Sequence, residues 1–337
     1  MLDAGFLIRP DHTTQTVGLY LVKIYLTIPP QFDNNSSGVT GRGHEESLVC
    51  YDQLDSGQAI KHIAMICNLS DWKSVNMAML TAAFDCSKDR DRKYFIMAGF
   101  VSSADEWVSF DAQWRARLAA DGLAYFHMQP FSHANTHPKK PFDKTWIGQE
   151  QRRQDLMKDL LDIVKSHAWR KVACILPVNV LDTVTLDARR YFFPSLIATA
   201  GSLLWTEIEA WRCREKFRNQ AEMIFERGDE HQGTLIDMLT QGTGNAPILR
   251  YKKDNPAKGI VGFTPLQAAD ILAFEIQKIA QLEGGPLPTR FRVPYEQIDK
   301  IPGEIRIFTE MGAKIQATTI MINEYFKTHP LGSEGVH

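Results

Sequence analysis

Three carboxylates stand where they could share one cation. Asp85 ends the apolar run Met79-Leu-Thr-Ala-Ala-Phe84, Glu226 ends Ala221-Glu-Met-Ile-Phe225, and Asp270 lies inside the helix-like stretch Leu266-Gln-Ala-Ala-Asp270-Ile-Leu-Ala-Phe274. Acids at the ends of two strands and on one helix can converge at one edge of a sheet. There they could hold Mg²⁺ or Mn²⁺, hard cations that take oxygen ligands, activate water and stabilise a phosphoryl transition state. The ordinary alternative for a strand-end acid is a solvated loop residue. Asp270 resists that alternative, because its neighbours at three and four positions, Leu266, Ala273 and Phe274, are apolar or small and turn it toward protein. A buried carboxylate needs a cation, a hydrogen-bond donor or a proton. Thr264 and Pro265 already supply the cap and first-turn signals, which leaves a metal or a buried ion pair, for instance with an arginine. The two readings differ in sign for Asp270→Asn. Relief of repulsion among metal-free acids stabilises the variant, whereas loss of a buried ion pair destabilises it.

The middle acid has competitors, since Phe225-Glu-Arg-Gly-Asp-Glu230 also offers Asp229 and Glu230. Glu226 is preferred because it directly follows the apolar run. His127, in Tyr125-Phe-His-Met128, is a candidate to line the pocket and orient water or a leaving oxygen. With His133 and His137 it could suggest zinc, but no cysteine or acid supplies a fourth ligand at suitable spacing, and Asn, Pro and Ser around them read as loop. His231 follows Asp229 and Glu230 and either begins the next helix or serves proton transfer near the acids.

The order of several motifs carries a family resemblance. Phe84-Asp-Cys-Ser87, Tyr94-Phe-Ile-Met-Ala-Gly-Phe-Val101, Trp107, Trp114, Tyr125-Phe-His-Met128 and Leu266-Gln-Ala-Ala-Asp270 together resemble the family called domain of unknown function 3800, over roughly residues 79 to 328. Its members typically begin with an Asp-Glu-Ser-Gly strand, continue with an aromatic-rich strand ending near Ala-Gly, and close with a Leu-Gln-x-Ala-Asp helix, often with a His where this chain has His127. The resemblance implies an α/β, ribonuclease H-like mixed sheet flanked by helices, and a metal-dependent nuclease. One departure is Cys86, which stands where the family has Glu. In a period-two strand Asp85 and Cys86 point to opposite faces, so a site centred on Asp85 can survive the change. The alternative is a catalytically decayed member that binds nucleic acid or protein.

The elements that must position these residues read as strands 79–85 and 93–102, helix 104–121, a short strand 124–128 and a polar segment 129–148. Helix 150–167, strand 170–177, helix 195–218, strand 221–226 and helix 231–241 follow. Possible strands 247–252 and 259–263, helix 265–282 and terminal helices around 294–328 complete the pattern. Trp107, Phe110, Trp114 and Leu118 recur at helical spacing and mark a core face. Residues 1–76 read as a poorly structured extension or a misplaced start ahead of Met77 or Met79, residues 77–328 as the domain, and 329–337 as a flexible tail.

A formal net charge of −2 selects no class of partner, whereas a duplex-binding surface usually carries a basic excess. Basic residues occur in local groups, of which Lys88-Arg90-Arg92-Lys93 and Arg250-Lys252-Lys253 lie beside the candidate acids and are the better candidates for phosphate contacts. The five cysteines show no paired metal spacing and read as reduced thiols. With no secretory leader and no run long enough to span a bilayer, the expected location is the cytoplasm. A serine-hydrolase elbow and a phosphate-binding P-loop are both absent.

Overall fold

Alternate residues of β1, Leu80–Lys88, feed two different cores: Ala83 faces one, Ala82 and Phe84 the other. A strand covered on both faces reads as a continuous apolar run, and β2, Tyr94–Ser103, is buried along nearly its whole length for the same reason. The computed structural model describes residues 53–55, 58–59, 80–88, 93–183, 194–217, 221–244, 246–281 and 293–308. All belong to one unit, Thr40–Ala317. The second unit, Met1–Val39 with Thr318–His337, lies outside the described residues.

The architecture is α/β, with a mixed six-stranded sheet flanked by helices. β1, β2 and β3 (Arg170–Pro177) form an antiparallel meander, and β4 (Glu222–Glu226) and β5 (Ile248–Arg250) add in parallel beside β1. β6 (Gly303–Ile307) adds in parallel beside β3, so the order across the sheet is β5-β4-β1-β2-β3-β6. One face carries α1 (Ala104–Ala120), α2 (Met128–His133), α3 (Glu150–His167) and α6 (Thr264–Ala280). The other carries α4 (Leu196–Arg214) and α5 (Gln232–Thr243), and α7 (Val293–Ile298) packs on α3 and α6. The expected stripe of Trp107, Phe110, Trp114 and Leu118 is buried on α1, and Ser103 caps that helix by accepting from the Glu106 N–H. Gly99 marks where β1 and β2 crowd. A Cβ there would lie 1.9 Å from the Ala83 carbonyl oxygen and 2.7 Å from a Phe84 ring carbon.

Five expectations change. The expected strand 124–128 does not form: Phe126 N–H donates to Gln267 Oε1 (2.8 Å), and Met128, already the first residue of α2, donates its N–H to Asp270 Oδ2 (2.6 Å), both side chains of α6. The polar segment 129–148 begins in α2, at whose start Met128 stands, and supplies the buried rings of Phe131 and Phe142, which pack against Phe126, and of Trp146, which packs edge-on to Phe142. Residues 259–263 hold only an isolated bridge between Asn255 and Ile260. Thr264 is the first residue of α6, not its cap; its hydroxyl donates to Asp111 (2.6 Å), and Pro265 holds the first turn. Of the expected terminal helices, α7 is present and β6 follows it; residues 309–328 lie outside the described residues.

Within the expected extension, Ala59 is fully buried in the core, and the Leu54 carbonyl accepts from Arg250 Nη2 at 2.8 Å. No helix among the described residues is long and apolar enough to cross a membrane.

Candidate active site

The pleat of β1 sends Asp85 toward α6 and Cys86 to the opposite face, as the alternation of the strand requires. Ala98, paired with Asp85 across β2, is small and leaves room above the sheet. β4 runs parallel beside β1 with Phe84 paired to Phe225, so Glu226 emerges next to Asp85 at the same edge. α6 crosses β1 and β2 and lowers Asp270 into the same space. Three segments distant in sequence thereby bring their acids to one point.

That point is filled by an ammonium. Lys252 Nζ lies 2.8 Å from Asp85 Oδ2, 3.0 Å from Glu226 Oε2 and 3.2 Å from Asp270 Oδ1. Asp85, Lys252 and Asp270 are 1%, 4% and 8% exposed, whereas the Glu226 side chain keeps 24% and forms the open side of the cluster. Asp85 Oδ1 is buried with no hydrogen-bond donor. His127 Nε2 stands 4.0 Å from Asp270 Oδ1.

Gln267, one turn before Asp270, ties the site together. Its Oε1 accepts from the Trp114 indole (2.9 Å) and from Phe126 N–H, while its Nε2 donates to the Lys252 carbonyl (3.0 Å). The loop carrying Lys252 closes on itself through Phe263 N–H to the Tyr251 carbonyl (2.7 Å) and Gly262 N–H to Asp254 (2.6 Å). Gly262 is needed there, since a Cβ would sit 2.6 Å from the Lys252 carbonyl oxygen.

Charge is divided unevenly in the cluster. Burial pushes the Asp85 carboxyl well above the usual carboxylate range, and the neighbouring Asp270 and Glu226 add to this against the pull of Lys252. Burial raises Asp270 and Glu226 too, but Lys252 and hydrogen bonding outweigh it, and both lie below their ordinary values. Lys252 is disfavoured by burial, yet the three acids lift it well above the usual range, so it stays charged. Burial brings His127 down to about 4, which leaves its ring neutral near pH 7.

No group of three His, Cys, Asp or Glu among the described residues is arranged to hold a metal ion as it stands. The donor set itself fits a hard cation: three carboxylates, one with an orphaned buried oxygen. The ammonium contacts are longer than the roughly 2.1 Å of a magnesium–oxygen bond, so the acids would have to draw inward around a metal once Lys252 had left.

The other candidates lie apart. Asp229 neighbours Cys86 on the far face, His231 is exposed in a left-handed conformation ahead of α5, and His133 pairs with Ser132 on the surface. Of the basic group 250–253, Arg250 and Lys252 are buried and turned inward instead of toward phosphate. Sequence reasoning missed Lys252 as a member of the site and Gln267 as its brace. Nothing in Tyr251-Lys252-Lys253 distinguishes an inward lysine from an outward one, whereas Gln267 shares the apolar face that marked Asp270 and was open to the same argument. No protein-family model matches the chain, and no curated protein shows significant similarity to it.

Proposed function

We propose that the chain is a metal-dependent phosphodiesterase acting on nucleic acid, ribonuclease H-like in fold, with Asp85, Glu226 and Asp270 as ligands for Mg²⁺ or Mn²⁺. The observation that carries this reading is the convergence of the three acids, from β1, β4 and α6, within 2.8–3.2 Å of one positive centre. The resemblance to the domain of unknown function 3800 family supports it, as does the parallel pairing of β1 and β4, which sets two of the acids side by side.

A divalent cation held there would polarise a phosphoryl oxygen and lower the pKa of a bound water. The chain's own residues supply the rest. Met128 N–H fixes the orientation of Asp270, and the Gln267 brace ties the Lys252 backbone to the same helix. Phe126, Phe131 and Phe142 pack together on either side of Met128 in sequence and steady the segment whose N–H holds Asp270. Neutral His127, close to Asp270, can accept a proton from an attacking water or hold it in line. Substrate enters past Glu226, the most exposed acid.

A second reading has its own observation. Lys252 already occupies the centre of the cluster and pairs with all three acids, as it would in a catalytically silent member that keeps the fold to bind nucleic acid or protein. Cleavage assays on single- and double-stranded RNA and DNA, with Mn²⁺, Mg²⁺ or EDTA, separate the two. The nuclease reading expects cation-dependent cleavage of at least one substrate, reduced to background by Asp270→Asn. Cleavage of none, or cleavage that Asp270→Asn leaves intact, supports the silent scaffold.

A further inference from the structure

We propose that Lys252 is a gate on the cation site: its ammonium occupies the position between Asp85, Glu226 and Asp270 until a divalent ion displaces it. The inference rests on the reading of the three acids as a metal site and adds the residue that controls entry to it.

Three observations support the gate. The ammonium lies within ion-pair distance of all three acids at once, so a metal bridging them and the lysine cannot share the position. One ammonium answers three carboxyl groups, and a divalent ion would bring more positive charge and direct oxygen coordination to the same three acids. The lysine backbone is also held independently of its charge. Its carbonyl is held by Gln267 Nε2, while its flexible four-carbon stem carries the charge and can swing without moving the backbone. The exit lies beside Glu226, whose side chain is the most exposed of the three acids. Holding the acids together before metal arrives is the structural benefit of such a residue, because three adjacent buried carboxylates would otherwise repel.

Two measurements on the full chain test this. Calorimetric titration with MnCl₂ should show Lys252→Met binding Mn²⁺ at least about tenfold more tightly than wild type, since the competing charge is gone. Lysine acetylation followed by peptide mass spectrometry on wild type should find Lys252 protected without metal, consistent with its burial, and modified at saturating Mn²⁺. The second measurement decides the matter should Lys252→Met fail to fold. Equal Mn²⁺ affinity in both proteins, or Lys252 still protected in the Mn²⁺-loaded wild type, overturns the gate while leaving the metal site standing. Mn²⁺ binding to neither protein overturns the metal site and the gate together. Binding to the variant alone also overturns the gate, because Lys252 is then a permanent block that Mn²⁺ does not displace, and it contradicts metal-dependent catalysis by the wild type.

Discussion

Asp85 and Asp270 touch the same ammonium, yet their neutralisation should act on stability in opposite directions. Asp85 is held above the usual carboxylate range, so its contribution to folding is full below that range and is lost as pH rises through its folded value. Asp85→Asn should therefore melt higher than wild type at neutral pH, with the gap narrowing toward pH 4; a gap that is negative or independent of pH contradicts the assignment. Asp270 is held low, so its contribution is present above the carboxylate range and lost as pH falls through its folded value. Asp270→Asn strands Lys252 and should lose about 3 kcal/mol at neutral pH in denaturant titrations. This is the sign that a buried ion pair predicts, with Lys252 as the partner in place of an arginine. His127 follows a third pattern. Burial brings it to about 4 from the ordinary 6.5, so the unfolded chain binds the extra proton between those values and stability falls as pH drops across that window. The full effect is on the order of 3 kcal/mol, and His127→Asn should remove that part of the pH slope in melting curves.

At the scale of elements, period and pattern explain what was legible. The aromatic stripe of α1, the inward turn of Asp270 on α6 and the opposed faces of Asp85 and Cys86 all follow from helical and strand repeats. Residues 124–128 were illegible because the backbone partners of Phe126 and Met128 are the Gln267 and Asp270 side chains, about 140 positions away, and no local pattern encodes such a pairing. The loop 251–263 is similar: its closure depends on Asp254 and on the close approach permitted by Gly262. Gln267 is the brace on which both segments depend. Gln267→Leu would leave the Trp114 indole, Phe126 N–H and Lys252 carbonyl without their partner and should cost about 3 kcal/mol or more. A loss below about 1 kcal/mol by denaturant titration would show that the brace is dispensable.

For the whole molecule, the mixed α/β sheet could be read from the order of strand and helix patterns, while the contribution of the segment before residue 77 could not. Leu54 and Ala59 carry no periodic signal, yet one offers a carbonyl to buried Arg250 and the other packs into the core. A chain beginning at residue 60 should accordingly melt lower than one beginning at residue 50, and equal melting temperatures would show that these contacts add nothing. The near-neutral charge carries no sign of the site either, because its few acids and its lysine are a small part of the charged residues of the chain. The most direct test of the acids as a cation site is anomalous scattering from crystals grown or soaked with Mn²⁺. The account predicts a manganese peak within coordination distance of at least two of Asp85, Glu226 and Asp270, with Lys252 Nζ moved out of the cluster. An ammonium still seated among the three acids at saturating Mn²⁺, with no peak beside it, would contradict it.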